Sequence, residues 1–291
     1  MTMRPAAILA VLALAVVAQE PEEPRIKLEK VVAGLTFTEG PVWSKDGVLY
    51  FSEIPSNRIM QLVPGKGLSV FRENSNGANG NALDSQGRLY TCEGHSRRVT
   101  RTDRKGKIEV LAERFEGKRL NSPNDVVVRK DGNVYFTDPA FGTSDDKREL
   151  DFYGVFRITP KGVLEVLAKP QGRPNGIALS PNGRILYVSN SDERNIRSYE
   201  LDHNGVPSNE RVLVSGIEGV PDGMRTDENG NIYLAARKIF IYSPEGKPVD
   251  QIGLAETPSN CTFGDADMQS LYVTARGAVY RIRLEVKGSV Q

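Results

Sequence analysis

The sequence predicts an all-β fold, a six-bladed β-propeller with four-stranded blades. A tight turn, an aliphatic residue and a tyrosine recur six times along the 291 residues. The intervals of roughly 40 to 50 residues between the tyrosines are typical of propeller blades, and no segment has the periodicity of a helix. The tyrosines are Tyr50, Tyr90, Tyr135, Tyr187, Tyr233 and Tyr272.

Each copy of the repeat predicts a β-hairpin. Its turn contains Asp-Gly in the copy that ends at Tyr50 and Asn-Gly in the copy that ends at Tyr233. Glycine takes the positive φ that such turns require. A second hairpin follows in most copies and gives the blade its outer strands. These second hairpins are predicted over Arg58 to Phe71, Arg98 to Leu111 and Gly154 to Leu167.

The two ends of the chain predict how the ring closes. After Tyr272 a single further strand is expected over Ala278 to Val286, so the last blade lacks one strand. The segment from Ile26 to Val32 precedes the first copy and can supply it. Completing one blade from both ends removes the open sheet edges. Residues 25–291 are therefore predicted to form one propeller domain.

The first residues predict a secretory signal peptide. Arg4 is followed by an apolar run from Ala6 to Val17 and by small residues up to Ala18. An uncleaved membrane anchor is the alternative, but the run is shorter than the roughly 20 residues needed to span a bilayer. We expect a signal peptide over residues 1–18, a short acidic linker over residues 19–24 and a secreted or periplasmic protein.

Charge and cysteine content exclude several classes of protein. The chain has 38 basic and 37 acidic residues and no basic tract, so we expect neither nucleic acid nor, after cleavage, a membrane as a partner. Cys92 and Cys261 could form one disulfide or stay apart. We expect separate, buried thiols in a monomer or weak dimer that acts on a small molecule.

Equivalent positions of the six repeats predict a metal site. In a propeller the innermost strand of each blade lines a central tunnel. Counting back from each tyrosine to the start of that strand gives two carboxylates and four carboxamides at one level of the tunnel. Such oxygen ligands suit a divalent cation, with Ca²⁺ preferred and Zn²⁺, Mg²⁺ or Mn²⁺ as alternatives. Asn side chains that merely cap strands are the other interpretation. The positions are Glu39, Asn79, Asn124, Asn175, Asp222 and Asn260.

A second set of residues is expected to return to the same end of the tunnel on the second strand of each blade. This set contains candidates for proton transfer and anion stabilisation, although ordinary solvated loops would contain the same residue types. An insertion from Phe141 to Phe152 follows one of them and is either a lid or a solvated loop. The set is Glu53, His95, Asp138, Asn190, Arg237 and the pair Ala275 and Arg276.

Five motifs resemble the gluconolactonase, senescence-marker protein and luciferin-regenerating enzyme family, and two of them resemble its bacterial gluconolactonase branch. The motifs are TEGPVW from Thr38, EGKRLNSPNDVVV from Glu116, YFTDPAFG from Tyr135, RPNGIALSP from Arg173 and VPDGM from Val220. The resemblance implies a calcium-dependent six-bladed propeller. It also implies a divalent ion held by Glu39, Asn175 and Asp222, with Asn124 as a further ligand or substrate contact.

The remaining polar residues of the motifs and of the ring are expected to bind substrate or to support the ligands. They are Asn79, His95, Asn121, Asp125, Asn190 and Asn260. The chain departs from the animal members of the family at Ser122, where those proteins have an arginine. We therefore do not expect this chain to hold sugar hydroxyls in the way that the animal members do.

The resemblance and the ring together predict a metal-dependent lactonase that opens a sugar lactone such as gluconolactone. Asp222 is the first candidate for the base that activates water, and Asp138 is the second. Alternatives are a phosphotriesterase or arylesterase on the same metal site, and a metal-binding propeller without catalysis. A covalent Ser-His-Asp mechanism is not expected, because the GxSxG motif is absent and the chain has only 2 histidines.

Overall fold

Four-stranded antiparallel sheets repeat six times along the chain and form the blades of a β-propeller, as predicted. The computed structural model describes residues 27–141 and 147–289. No α-helix occurs in these two ranges, so none there could span a membrane. The predicted signal peptide (1–18) and linker (19–24) lie outside the described residues, as does part of the insertion after Phe141.

The first three blades follow one another along the chain. Blade 1 comprises β2 (Thr38–Trp43), β3 (Leu49–Glu53), β4 (Arg58–Val63) and β5 (Gly67–Arg72). Blade 2 comprises β6 (Ala78–Leu83), β7 (Leu89–Glu93), β8 (Arg98–Thr102) and β9 (Ile108–Ala112). A small hairpin of β10 (Arg114–Phe115) and β11 (Lys118–Arg119) follows. Blade 3 comprises β12 (Val126–Val128), β13 (Val134–Asp138), β14 (Gly154–Ile158) and β15 (Leu164–Ala168).

The other three blades complete the ring. Blade 4 comprises β16 (Pro174–Leu179), β17 (Ile185–Asn190), β18 (Asn195–Leu201) and β19 (Pro207–Val214). Blade 5 comprises β20 (Met224–Thr226), β21 (Ile232–Ala235), β22 (Ile239–Tyr242) and β23 (Pro248–Ile252). Blade 6 comprises β24 (Pro258–Gly264), β25 (Ser270–Ala275), β26 (Ala278–Arg283) and β1 (Lys27–Val32).

Blade 6 is built from both ends of the described chain. Its strand order is β1-β26-β25-β24, and β1 pairs antiparallel with β26 so that Lys27 lies opposite Arg283. In the other blades the four strands follow the order of the sequence from the innermost strand outwards. The predicted closure by the N-terminal strand is therefore present, and it covers the outer edge of β26.

The repeated tyrosines lie on the second strand of each blade and connect that strand to its surroundings. The Tyr135 hydroxyl donates to the carbonyl oxygen of Gly205 in blade 4 at 2.9 Å. The Tyr272 hydroxyl donates to Asp265 at 2.7 Å. A buried tyrosine hydroxyl needs such a partner. The repeat that predicts the blades thus also supplies polar contacts, between blades 3 and 4 through Tyr135 and within blade 6 through Tyr272.

The hydrophobic core lies between adjacent blades. Phe136 and Phe156 of blade 3, for example, pack in one cluster with Cys92 and Val99 of blade 2, and their rings stack with centroids 5.2 Å apart. Burial of each such side chain contributes about 1.5 to 3 kcal/mol. Cys92 and Cys261 are both buried and free, which confirms the expectation of separate thiols.

Candidate functional site

The innermost strands of the six blades run in the same direction along the tunnel. Their first residues therefore meet at one end, which we call the ring mouth, and their last residues at the other end, the opposite mouth. Glu39, Asn79 and Asn175 are the second residues of β2, β6 and β16. Asn260 is the third residue of β24, while Asn124 and Asp222 lie two residues before β12 and β20.

The structure joins the ring residues by hydrogen bonds across the blades. Asn79 donates from Nδ2 to Oδ1 of Asn124 at 2.7 Å, and Asn124 donates in turn to Oδ1 of Asn175 at 2.6 Å. On the other side Asn260 donates to Oε2 of Glu39 at 3.0 Å. The Asn175 side chain also lies close enough to the Asp222 carboxylate to lower its pKa. All six predicted ring residues thus take part in side-chain contacts at one level.

Glycines directly after the ring residues allow this close approach. Gly40, Gly80, Gly176 and Gly223 each lie against a residue of the next blade. An added Cβ at Gly40 or Gly176 would overlap the backbone of Asn79 or Asp222, and one at Gly223 would overlap the Asn260 carboxamide. Each neighbouring inner strand can therefore reach the axis. The pattern of a polar residue followed by glycine therefore marks these ring positions in the sequence.

Blade 3 has Asp125 where four other blades have this glycine. Asp125 is buried, and its Oδ1 accepts from the backbone N–H of Val126 at 2.9 Å while Oδ2 accepts from that of Ile177 at 3.2 Å. The Arg225 guanidinium lies 3.9 Å from Oδ2. Asp125 therefore adds a third carboxyl group beside those of Glu39 and Asp222.

The electrostatics of these acids favour a bound cation. Burial, and next the charge of Asp125, raise the pKa of Glu39 to about 7. Burial, Glu39 and Asp125 together raise the pKa of Asp222 well above its usual value. The pKa of Asp125 is also raised by burial, although Arg225 opposes this shift. Each carboxylate is thus costly to ionise beside the others, and a divalent cation would remove that cost.

The donor set fits a hard divalent cation. Within residues 27–141 and 147–289, no group of three or more His, Cys, Asp or Glu side chains forms a metal cluster. The ring instead offers the carboxylates of Glu39 and Asp222 together with the carboxamide oxygens of Asn124 and Asn175. Such a set of oxygens is typical of calcium sites. Neutral carboxamides make up half of it, so the two carboxylates would balance the charge of a divalent ion.

Asp138 lies in a different environment from Asp222. It is fully buried, and its two carboxylate oxygens accept from the backbone N–H groups of Asn121 and Ser122 at 2.7 and 2.6 Å. Burial raises the pKa of Asp138 to about 7 although these hydrogen bonds lower it. Asn121 donates from Nδ2 to the Phe152 carbonyl at 3.0 Å. These contacts fix the loop that leads to Asn124.

The second strands return to the ring mouth as expected, with one error of register. Glu53 pairs with Thr38, and the equivalent residue of blade 2 is Glu93, which pairs with Ala78. The predicted residue His95 lies two positions further on, in the exposed turn after β7, where its ring rests against Gly77. Glu93 is fully buried between Arg72 and Arg98, each 2.7 Å away.

The remaining predicted residues lie at or near the same mouth. Asn190 is buried at the end of β17, where its Oδ1 accepts from the backbone N–H groups of Asp192 and Glu193 at 3.1 and 2.9 Å. Arg237 is exposed and pairs with Glu218. Ser191, which we did not predict, accepts from Nδ2 of Asn175 at 3.0 Å and so orients a predicted ligand.

Comparison with known proteins gives concordant findings. The family model described as the SMP-30/Gluconolactonase/LRE-like region matches residues 37–277, a stretch that includes every ring residue. A gluconolactonase from Zymomonas mobilis is 36% identical over 293 residues, covering 90% of this chain and 82% of its own. A pentonolactonase from Haloferax volcanii is 26% identical over 252 residues, covering 82% and 81%.

A solved structure has the same fold. The structure of a gluconolactonase from Xanthomonas campestris superposes with a TM-score of 0.83 at 32% identity. The match covers 89% of this chain and 90% of that one. The similarity therefore extends over the whole ring of blades.

Proposed function

The chain belongs to the SMP-30/gluconolactonase/LRE-like family and is a lactonase, and we propose that it opens a sugar lactone with the help of a divalent cation held in the ring. The gluconolactonase and pentonolactonase relatives support the substrate class. The observation that carries the proposal is the meeting of Glu39 and Asp222 with the carboxamides of Asn124 and Asn175 at the ring mouth.

Glu39, Asn124, Asn175 and Asp222 would hold the cation. Ca²⁺ fits this set of oxygen ligands best, and Zn²⁺, Mg²⁺ and Mn²⁺ are the alternatives. When bound, such an ion supplies a Lewis acid that polarises the acyl carbonyl of the substrate. Asn79 and Asn260 lie beside the ligands and are proposed to contact substrate, as is His95 at the mouth. The buried Asn121 and Asn190 are proposed to position the loops around the site.

Asp222 is proposed as the base. Its carboxylate takes a proton from water while the water oxygen bonds to the acyl carbon of the lactone. The bond between that carbon and the ring oxygen then breaks, and the proton passes to the released oxygen, which leaves a hydroxy acid. Asp222 is only partly buried, so water can reach it, whereas both oxygens of Asp138 are occupied by backbone N–H groups.

Chelation tests the proposal. Purified protein is treated with a chelator and assayed with gluconolactone, a pentonolactone, an aryl ester and a phosphotriester, before and after addition of Ca²⁺, Zn²⁺, Mg²⁺ or Mn²⁺. We expect lactone hydrolysis to disappear and to return with one of these ions. Hydrolysis that is indifferent to chelation would overturn the metal mechanism. Turnover of the ester or phosphotriester alone would overturn the substrate class.

Two matched variants test whether Glu39 binds the cation. Glu39→Gln removes a ring carboxylate and is expected to raise the metal concentration needed for half-maximal activity by at least about tenfold, or about 1.4 kcal/mol. Glu73→Gln removes an exposed carboxylate that pairs with Arg58 in blade 1 and is expected to leave that concentration unchanged. Equal behaviour of the two variants would contradict a cation bound by Glu39.

A further inference from the structure

A large cavity lies at the opposite mouth of the tunnel, away from the ring. Its volume is about 800 Å³, which is in the range of sites for small molecules. It is lined by the last residues of the inner strands, including Trp43, Leu83 and Phe263, and by no ring residue. The proposed lactone site therefore does not account for this cavity.

Arg225 of β20 forms the inner end of the cavity. Its guanidinium donates to the Met224 carbonyl at 2.8 Å, and its contacts with the Ile177 and Asn81 carbonyls are longer, at 3.5 and 3.4 Å. The carboxylate of Asp125 is 3.9 Å away on the ring side. A guanidinium has five N–H donors. Only the hydrogen bond to the Met224 carbonyl is short, so other donors of the group are weakly engaged. The group can therefore donate to an anion in the cavity.

The walls between Arg225 and the solvent combine an apolar surface with polar and charged residues. Trp43 is held in place because its ring stacks on Tyr272, with centroids 5.3 Å apart. Leu83, Leu89 and Phe263 line the same space. Apolar walls of this kind bind a hydrocarbon chain through the hydrophobic effect. A polar sugar acid would gain nothing from them.

Three of the acidic residues that line the cavity are each paired with an arginine, whereas the fourth, Asp103, accepts from the backbone N–H groups of Lys105 and Lys107. Asp84 contacts Arg88 at 2.5 Å, and Asp46 contacts Arg104 at 2.9 Å. Asp265 pairs with Arg281. Because three of these four charges are compensated locally and Lys45 also lines the rim, the rim does not cancel the positive charge of Arg225 at the inner end. Ser289 lines the cavity on one side, and its backbone N–H donates to the Thr226 carbonyl at 3.0 Å.

We propose that this cavity is a second binding site, which takes an apolar monocarboxylate such as a medium-chain fatty acid. The carboxylate accepts from the Arg225 guanidinium, since a charged pair of this kind is the strongest polar contact that the cavity offers. The hydrocarbon chain packs against Trp43, Leu83 and Phe263. The site lies at the opposite end of the tunnel from the proposed metal and lactone, and Arg225 lies between the two, because it also contacts Asp125 on the ring side.

Titration calorimetry with octanoate tests the proposal. We expect octanoate to bind the full-length protein with a dissociation constant of about 1 mM, as its size allows. Neutral 1-octanol and polar gluconate should bind at least about tenfold more weakly, because each lacks one of the two features that the cavity recognises. Octanoate binding should persist after chelation, so failure of the lactonase mechanism and failure of this proposal are distinguishable.

Three variants locate the site. Arg225→Met and Leu83→Trp are each expected to weaken octanoate binding at least about tenfold, the first by loss of the charge and the second by filling the cavity. Arg58→Met removes an exposed arginine of blade 1 and should bind octanoate like the wild type. Thermal unfolding checks each variant, and Arg225→Lys keeps the charge if the methionine variant does not fold. Unchanged binding by the Leu83→Trp variant, or equal binding of octanol and octanoate, would overturn the proposal.

Discussion

Gly223 of blade 5 lies directly against the carboxamide of Asn260 in blade 6, so closely that no Cβ could be placed between them. Its φ is not in the left-handed region, so the requirement for glycine is purely steric. Gly40 and Gly176 lie as closely against the backbone of Asn79 and of Asp222, although Gly40 also has a positive φ of 51°. Small residues after the ring positions thus allow the inner strands to bring their oxygen ligands together.

Gly223→Ala should therefore destabilise the protein and disturb the ring. The added methyl group must displace the Asn260 side chain or move β20 away from β24, which costs about 1 to 3 kcal/mol. Gly253→Ala is the matched control, because nothing lies within 4 Å of its added Cβ and its φ is not positive. Urea unfolding measures both. Equal free energies of unfolding of the two variants would show that the close contact at Gly223 does not limit stability.

The sequence predicted the fold because each blade repeats its own local signal. A turn, an aliphatic residue and a tyrosine recur at equivalent positions of each blade. The spacing back from the tyrosine alone predicted that Glu39 and Asp222 lie at one level. It failed at Glu93, because the count to the turn after β7 was two residues too long. It also missed Arg225, whose contact with Asp125 joins residues a hundred positions apart in blades 3 and 5. No local pattern marks a contact of that kind.

Glu93→Ala should destabilise the fold strongly. Glu93 is fully buried and compensates Arg72 and Arg98, so its removal leaves partly buried positive charge without a partner and costs about 3 to 5 kcal/mol. Glu73→Ala removes an exposed partner of Arg58 and should cost less than about 1 kcal/mol. Chemical unfolding of the two variants provides the comparison. A small effect at Glu93 would mean that the two arginines find other partners.

Asp138 should make the stability of the metal-free protein depend on pH. Its carboxyl group ionises near 3.8 when unfolded and near 7 in the folded protein. Between these values the folded state binds more protons, so stability falls as pH rises, by at most about 4 kcal/mol from this group. Asp138→Asn should flatten part of that slope. Urea unfolding in chelator from pH 4 to pH 8 compares the slopes, and identical slopes would contradict the raised pKa.

Asp222→Asn should distinguish the proposed role of Asp222 as a base from its proposed role as a metal ligand. The carboxamide keeps an oxygen for the cation but cannot take a proton from water, so kcat at saturating metal should fall by about 10² to 10⁴. Glu39→Gln removes a charge from the same ring without removing the proposed base. It should lower metal affinity and leave kcat at saturating metal within about tenfold of the wild type. Near-normal kcat in the Asp222→Asn variant, with metal binding verified by calorimetry, would remove Asp222 from this role and leave Asp138 as the candidate.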